Sequence, residues 1–233
     1  MTISPNTERH FDHVVSRDGW KVKVELALDA VRSTGRGALL VPASKHERDG
    51  WGPAMLGDLI GRGFAVLCTD IRGRGESREP EAMYSLPPGH LRRVHHDVAA
   101  AVEWMAAHER VESGSIVLFG EQDTADAVVA VAATDERVGA VVLVSPKISR
   151  LTLEMWSASP RRPLPVCLLA CKDDGVGLMR SLELFRRSGH AESRVRLVAD
   201  VGLGTTMFAA WQHARRDEPP LEQWLGAWAA SVS

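Results

Sequence analysis

The stretch 115–133, Ser-Ile-Val-Leu-Phe-Gly-Glu-Gln-Asp-Thr-Ala-Asp-Ala-Val-Val-Ala-Val-Ala-Ala, constrains the fold more than any other part of the chain. Ser115 to Phe119 is a short apolar run without alternation, suited to the middle of a parallel sheet, where both faces are covered. Gly120 ends it. From Thr124 to Ala133 only Asp126 carries a charge, so this segment predicts a helix packed tightly on the strand it has just left. A buried strand, a sharp turn and a small-residue helix require further strands on both sides.

Those strands are visible in the pattern. Apolar runs at 37–42, 64–69, 138–145 and 164–170 read as core strands, and Arg194-Val-Arg-Leu-Val-Ala199 reads as a last strand. Between and after them lie segments of helical period at 51–61, 91–107, 176–188, 206–216 and 221–232. The alternation predicts an α/β fold with a mostly parallel central sheet and helices on both faces. Phe11 to Val15 and Lys21 to Leu28 alternate apolar and polar around Arg17-Asp18-Gly19, which predicts an N-terminal antiparallel hairpin decorating the sheet edge. At 233 residues, one domain spanning 1–233 is expected.

Composition narrows the function classes. A formal net charge of -2 gives no basis for nucleic-acid or acidic-membrane binding, and Arg161-Arg162 and Arg186-Arg187 read as solvated faces. No apolar run approaches a bilayer span and the N-terminus lacks a signal-like core, so a cytoplasmic protein is expected. Cys68, Cys167 and Cys171 are odd in number and fall in or beside core strands, which reads as buried thiols. His95 and His96 are adjacent on a helix and point roughly 100° apart, so they do not chelate one metal. No metal and no cofactor are expected.

The sequence resembles the α/β-hydrolase superfamily, in its lidless, dienelactone-hydrolase-like or esterase-like form, over roughly residues 11–231. The most specific motif is Asp70-Ile-Arg-Gly-Arg-Gly-Glu-Ser77, which matches the D-x-R-G-x-G-x-S turn of that family. The resemblance implies that Asp70 and Arg72 tie loops together while Gly73 and Gly75 permit tight backbone. A phosphate-binding loop would open directly into a helix, whereas this one runs into Arg78-Glu79-Pro80. The stretch Gly120-Glu-Gln-Asp-Thr124 falls where the family places G-x-S-x-G, with Gln122 at the serine and Thr124 at the closing glycine. Lys172-Asp173-Asp174-Gly175-Val176 resembles the acid loop, with Asp173 in the acid position. Leu203, in Gly202-Leu-Gly-Thr-Thr206, stands where the family has histidine, and His213 lies further on. The loop 43–50 would supply an oxyanion N–H from Ala43 beside that of Asp123, yet it has no HGG-type run and is unusually charged. At 146–162, where many relatives insert a lid, there is only a short stretch with Leu151, Leu153, Met155 and Trp156.

A carboxamide offers no nucleophile that a base can activate, so Gln122 and Leu203 together remove the proton-transfer pair of an acyl-transfer enzyme. The reading is a catalytically degenerate, non-hydrolytic pseudo-enzyme that binds a small molecule or a protein partner, with a homo-oligomer open. The first alternative is a lyase, isomerase or cyclase using a rebuilt polar site of Glu121, Gln122, Asp123 and Asp173, where proximity of carboxylates tunes a general base. The second is an atypical esterase or thioesterase. Against any catalytic role, Asp123 and Thr124 are ordinary residues for capping the following helix. A closed cavity on which Glu121, Gln122 and Asp173 converge would favour catalysis or ligand binding, and a filled site with an exposed apolar patch at 151–156 would favour a protein partner.

Overall fold

The uninterrupted apolar runs become strands because both of their faces are covered, and the amphipathic segments become the helices that cover them. The computed structural model describes residues 6–78, 89–112, 114–160, 163–215 and 217–232. Among these residues eight strands form one sheet: β1 (Thr7–Val15), β2 (Lys21–Asp29), β3 (Gly37–Val41), β4 (Ala65–Thr69), β5 (Ile116–Glu121), β6 (Val138–Val144), β7 (Val166–Cys171) and β8 (Arg194–Val198). Their order across the sheet is β1-β2-β4-β3-β5-β6-β7-β8. β2 runs antiparallel to both β1 and β4, and all other pairs are parallel.

Among the described residues seven α-helices cover the two faces: α1 (Gly52–Gly61), α2 (Val94–Ala106), α3 (Ala125–Ala132), α4 (Arg150–Ala158), α5 (Gly175–Ser188), α6 (Thr206–Ala214) and α7 (Leu221–Val232). On one face Val98, Val102 and Met105 of α2 join Val128, Trp156 and Leu184 in a single apolar layer. On the other, Met55 and Leu59 of α1 pack with Phe208, Trp211, Leu225 and Trp228. Each fully buried Leu or Phe in these layers contributes about 1.5–3 kcal/mol, so the two layers dominate the stability.

Several boundaries differ from the sequence expectation. The hairpin begins at Thr7 instead of Phe11, and of its two strands only β1 is an edge of the sheet. β2 lies inside the sheet because Val24 to Ala27 pair with β4, which buries Val22, Val24 and Leu26 completely. A short 3-10 turn, His90–Arg93, precedes α2 and takes up the start of the segment expected to be α-helical. The expected stretch at 146–162 folds as α4, capped by Ser149, which accepts the Thr152 N–H; Leu153 and Trp156 turn inward and Leu151 and Met155 outward. Pro80, Arg161 and Arg162 lie outside the described residues. Among the described residues no helix is long and apolar enough to cross a membrane.

The Asp70 turn at the end of β4 is an architectural knot. Asp70, fully buried, accepts the Arg48 N–H at 2.7 Å, the Arg48 guanidinium at 2.7 Å and the Glu76 N–H at 3.1 Å. Arg72, equally buried, donates to Asp97 on α2 and, through Nη1 at 2.7 Å, to Asp18 in the β1–β2 turn. Hydrogen bonds from Arg72 hold the Asp18 carboxyl well below the usual carboxylate range, whereas burial pushes Asp97 up. Gly75 has φ +46°, and a Cβ there would overlap the Asp70 carboxylate. Any larger residue would therefore break the knot.

Candidate functional site

β5 ends at Glu121, a 3-10 turn covers Gln122–Thr124, and α3 follows at once. That leaves no room for a relaxed link. Gln122 has φ +47°, one of three non-glycine residues with positive φ among those described. For an L-residue this backbone costs on the order of 1–2 kcal/mol, so the surroundings must hold it. They do so with the Gln122 carbonyl, which accepts the Lys147 N–H at 2.8 Å, and by enclosing the side chain to 8% exposure. The Gln122 amide Nε2 is buried with no hydrogen-bond partner.

Glu121 is the centre of the arrangement. It is fully buried. Its Oε2 accepts the Ala43 N–H at 3.0 Å and faces His46 Nδ1 at 3.3 Å. Its Oε1 accepts the Thr205 N–H at 2.7 Å and the Thr205 hydroxyl at 3.1 Å. One carboxylate thus ties the loop after β3 to the loop after β8. Charge-assisted bonds to N–H donors offset the cost of removing the anion from water. Asp123 adds a second tie, its Oδ1 accepting the Ser44 N–H at 3.0 Å and its Oδ2 the Ser44 hydroxyl. From the far side Ser145, itself at φ +46°, accepts the Gly204 N–H at 3.0 Å. Gly204 lies so close to the Glu121 and Gln122 side chains that a Cβ there would overlap both.

This geometry revises several expectations. The Ala43 N–H, expected to serve an oxyanion, is spent on Glu121. Neither Asp123 nor Thr124 caps α3: Thr124 already has helical backbone, and its hydroxyl donates to the Glu121 carbonyl at 2.8 Å while Asp123 turns to Ser44. Glu121, Gln122, Asp123 and Ala43 are brought together, but Asp173 is left out. Asp173 is exposed, and its hydrogen bond comes from the Cys171 thiol at 3.6 Å. Leu203 is 37% exposed beside the cluster's loop, and His213 is exposed on α6. Ser44, His46, Ser145 and Thr205 are cluster members that sequence reasoning missed. No local signal marked them, since His46 and Thr205 lie 75 and 84 residues from Glu121.

A cleft of about 560 Å³ opens elsewhere, beside the carboxyl ends of β3 and β4. Leu40, Trp51 and Cys68 line it together with Glu25, Arg48 and Arg78, and none of the elbow residues does. The Cys68 thiol is pushed up to about 12 by burial and by the nearby Glu25 charge, so it stays protonated at neutral pH. Arg48 is engaged by Asp70, Glu76 and Glu25. Among the described residues no group of three or more His, Cys, Asp or Glu side chains is placed to hold a metal ion.

No protein-family model matches the sequence, and no curated protein does. Solved structures match over nearly the whole chain. The esterase Pf2001 of Pyrococcus furiosus is similar with a TM-score of 0.70 and 15% identity, covering 100% of this chain and 97% of that one. Dienelactone hydrolase from Anabaena variabilis gives 0.70 at 15% identity, covering 97% of each chain. The α/β hydrolase GrgF from Penicillium sp. sh18 gives 0.70 at 14%, covering 97% of this chain and 99% of that one. The chain has the α/β-hydrolase fold. In an α/β-hydrolase fold with this strand order, successive strands are added on opposite sides of β3 and β5, and the elbow sits at that switch point, where open α/β sheets bind ligands. The cleft beside β3 and β4 lies to one side of it.

Proposed function

We propose that this chain is a non-hydrolytic α/β-hydrolase-fold protein, a pseudo-enzyme with respect to acyl transfer, that works by binding a small molecule. One observation carries the reading: the Glu121 carboxylate occupies the Ala43 N–H that an oxyanion would need. Acyl transfer depends on donors held free for charge that develops in the transition state. Here that donor already faces a full negative charge. Gln122 at the elbow supplies no nucleophile, and the exposed Asp173 has no imidazole to orient. The cleft lined by Leu40, Trp51 and Arg48 supports binding displaced from the elbow, since it joins an apolar floor to a few polar groups.

Hydrolysis of p-nitrophenyl acetate and butyrate tests this. The wild-type protein is expected to turn over neither ester above the uncatalysed rate. Turnover that disappears with Asp173→Asn or Asp123→Asn would overturn the reading. A Gln122→Ser, Leu203→His double variant run alongside is expected to stay inactive while Glu121 holds the Ala43 N–H. A protein partner is a second reading, favoured by the outward Leu151 and Met155 of α4, which are 66% and 39% exposed. If that reading holds, co-purification of a partner is lost in Leu151→Glu. Solution mass decides whether the partner is another copy.

A further inference from the structure

We propose that His46 and Glu121 form a general-base pair that removes a proton from a small carbon acid, an activity independent of the acyl-transfer machinery. His46 Nδ1 lies 3.3 Å from Glu121 Oε2. Glu121 is fully buried, and each of its oxygens is pinned by a backbone N–H, from Ala43 and from Thr205. The carboxylate cannot swing away. A fixed carboxylate at Nδ1 selects the tautomer with its proton there and leaves the lone pair on Nε2. The His46 main chain is set as well, its N–H donating to the Ala43 carbonyl at 2.8 Å. The ring is 26% exposed, and Nε2 has no hydrogen-bond partner among the described residues. An oriented imidazole with an open nitrogen is the geometry a general base requires.

The surroundings select the proton donor. The Ser44 hydroxyl is committed to Asp123 and the Thr205 hydroxyl to Glu121, so no protein hydroxyl beside the pair is free to become a nucleophile. With no protein nucleophile to activate, the base acts on an acidic C–H of the substrate itself, which makes elimination or isomerisation the reaction class; water is the competing proton donor, and ester hydrolysis reads it out. His46 is the catalytic residue and Glu121 the positioning residue.

The test uses the full chain and 5-nitrobenzisoxazole, a carbon acid that needs only a base. Nε2 takes the C3 proton, the C–H electron pair becomes part of the nitrile, and the N–O bond breaks with its pair leaving on the phenolate oxygen. The imidazolium then returns its proton to water. The wild type is expected to exceed equimolar free imidazole by about 10² or more. His46→Gln is expected to fall to the imidazole background with an unchanged melting curve, and added imidazole to restore His46→Gly. Glu121→Gln is expected to lose roughly tenfold or more in kcat with KM unchanged, because the ring is no longer held in the tautomer that leaves Nε2 open. If Glu121→Gln does not fold, His46→Gln alone decides. A wild-type rate equal to that of imidazole, or a His46→Gln rate equal to wild type, overturns the proposal. Ester hydrolysis that depends on His46 would overturn the non-hydrolytic reading and leave the base standing.

Discussion

The turn after β4 and the turn after β5 each hold a fully buried carboxylate, Asp70 in one and Glu121 in the other, but the two anions are satisfied differently. Asp70 faces the Arg48 guanidinium and shares its turn with Arg72, which is clamped between Asp97 and Asp18. Glu121 has no guanidinium or ammonium partner among the described residues; it rests on two backbone N–H groups, one hydroxyl and an imidazole. One turn neutralises charge with charge. The other disperses it over dipoles supplied by two loops distant in the chain.

The largest test of this contrast is Arg72→Met. It strands Asp97 without its cation and is expected to cost about 3–5 kcal/mol in urea unfolding. A loss below about 1 kcal/mol would show that the charge knot is dispensable. Glu121→Ala leaves the Ala43 and Thr205 N–H groups unpaired but strands no charge, so about 2–3 kcal/mol is expected by the same measurement. A Glu121→Ala loss larger than that of Arg72→Met would reverse the ranking.

Gly204→Ala sharpens the comparison on the elbow side. At φ +65°, with the Glu121 and Gln122 side chains against it, an added methyl is expected to cost about 1–3 kcal/mol. Gly19→Ala is the control, since Gly19 has φ +84° and open space, and only about 1 kcal/mol is expected. Equal losses would mean that backbone strain alone is at work.

Acid titration probes the charged turn. Arg72 holds the folded-state carboxyl of Asp18 below its unfolded value of about 3.9, so its stabilisation is complete above that value and is lost as pH falls toward the folded one. Between roughly pH 5 and pH 2 the wild type is expected to lose more stability than Asp18→Asn, read as a steeper fall in melting temperature. The smallest effect is expected at Gln122→Gly. Relief of the φ +47° backbone outweighs the loss of a side chain whose Nε2 has no partner, and stability is expected to rise by about 0.5 kcal/mol.

Sequence reasoning reached the two turns unequally. Asp70, Arg72, Gly73 and Gly75 lie within eight consecutive residues, Asp70 to Ser77, so anion, cation and the glycines of the turn could be read as one motif. At the elbow, Gln122 and the strand-to-helix change were legible in the same way. What Glu121 does was not, because its partners come from the loops after β3 and β8. Capping by Asp123 and Thr124 was the natural expectation from residue type. It failed because Ser44 offered Asp123 two donors from a loop distant in sequence.

The sequence by itself determined which segments are strands, their alternation with helices, and where the tight turns fall, since periodicity and the conformational range of glycine act over a few residues. Only the tertiary structure decided that Glu121 would close over the Ala43 N–H, that His46 would stand beside the same carboxylate oxygen, that Asp173 would remain outside, and that the cleft would open beside β3 and β4. Hydrogen bonds are made or lost within a few tenths of an ångström. Such distances between loops far apart in the chain are fixed by the packed sheet beneath them.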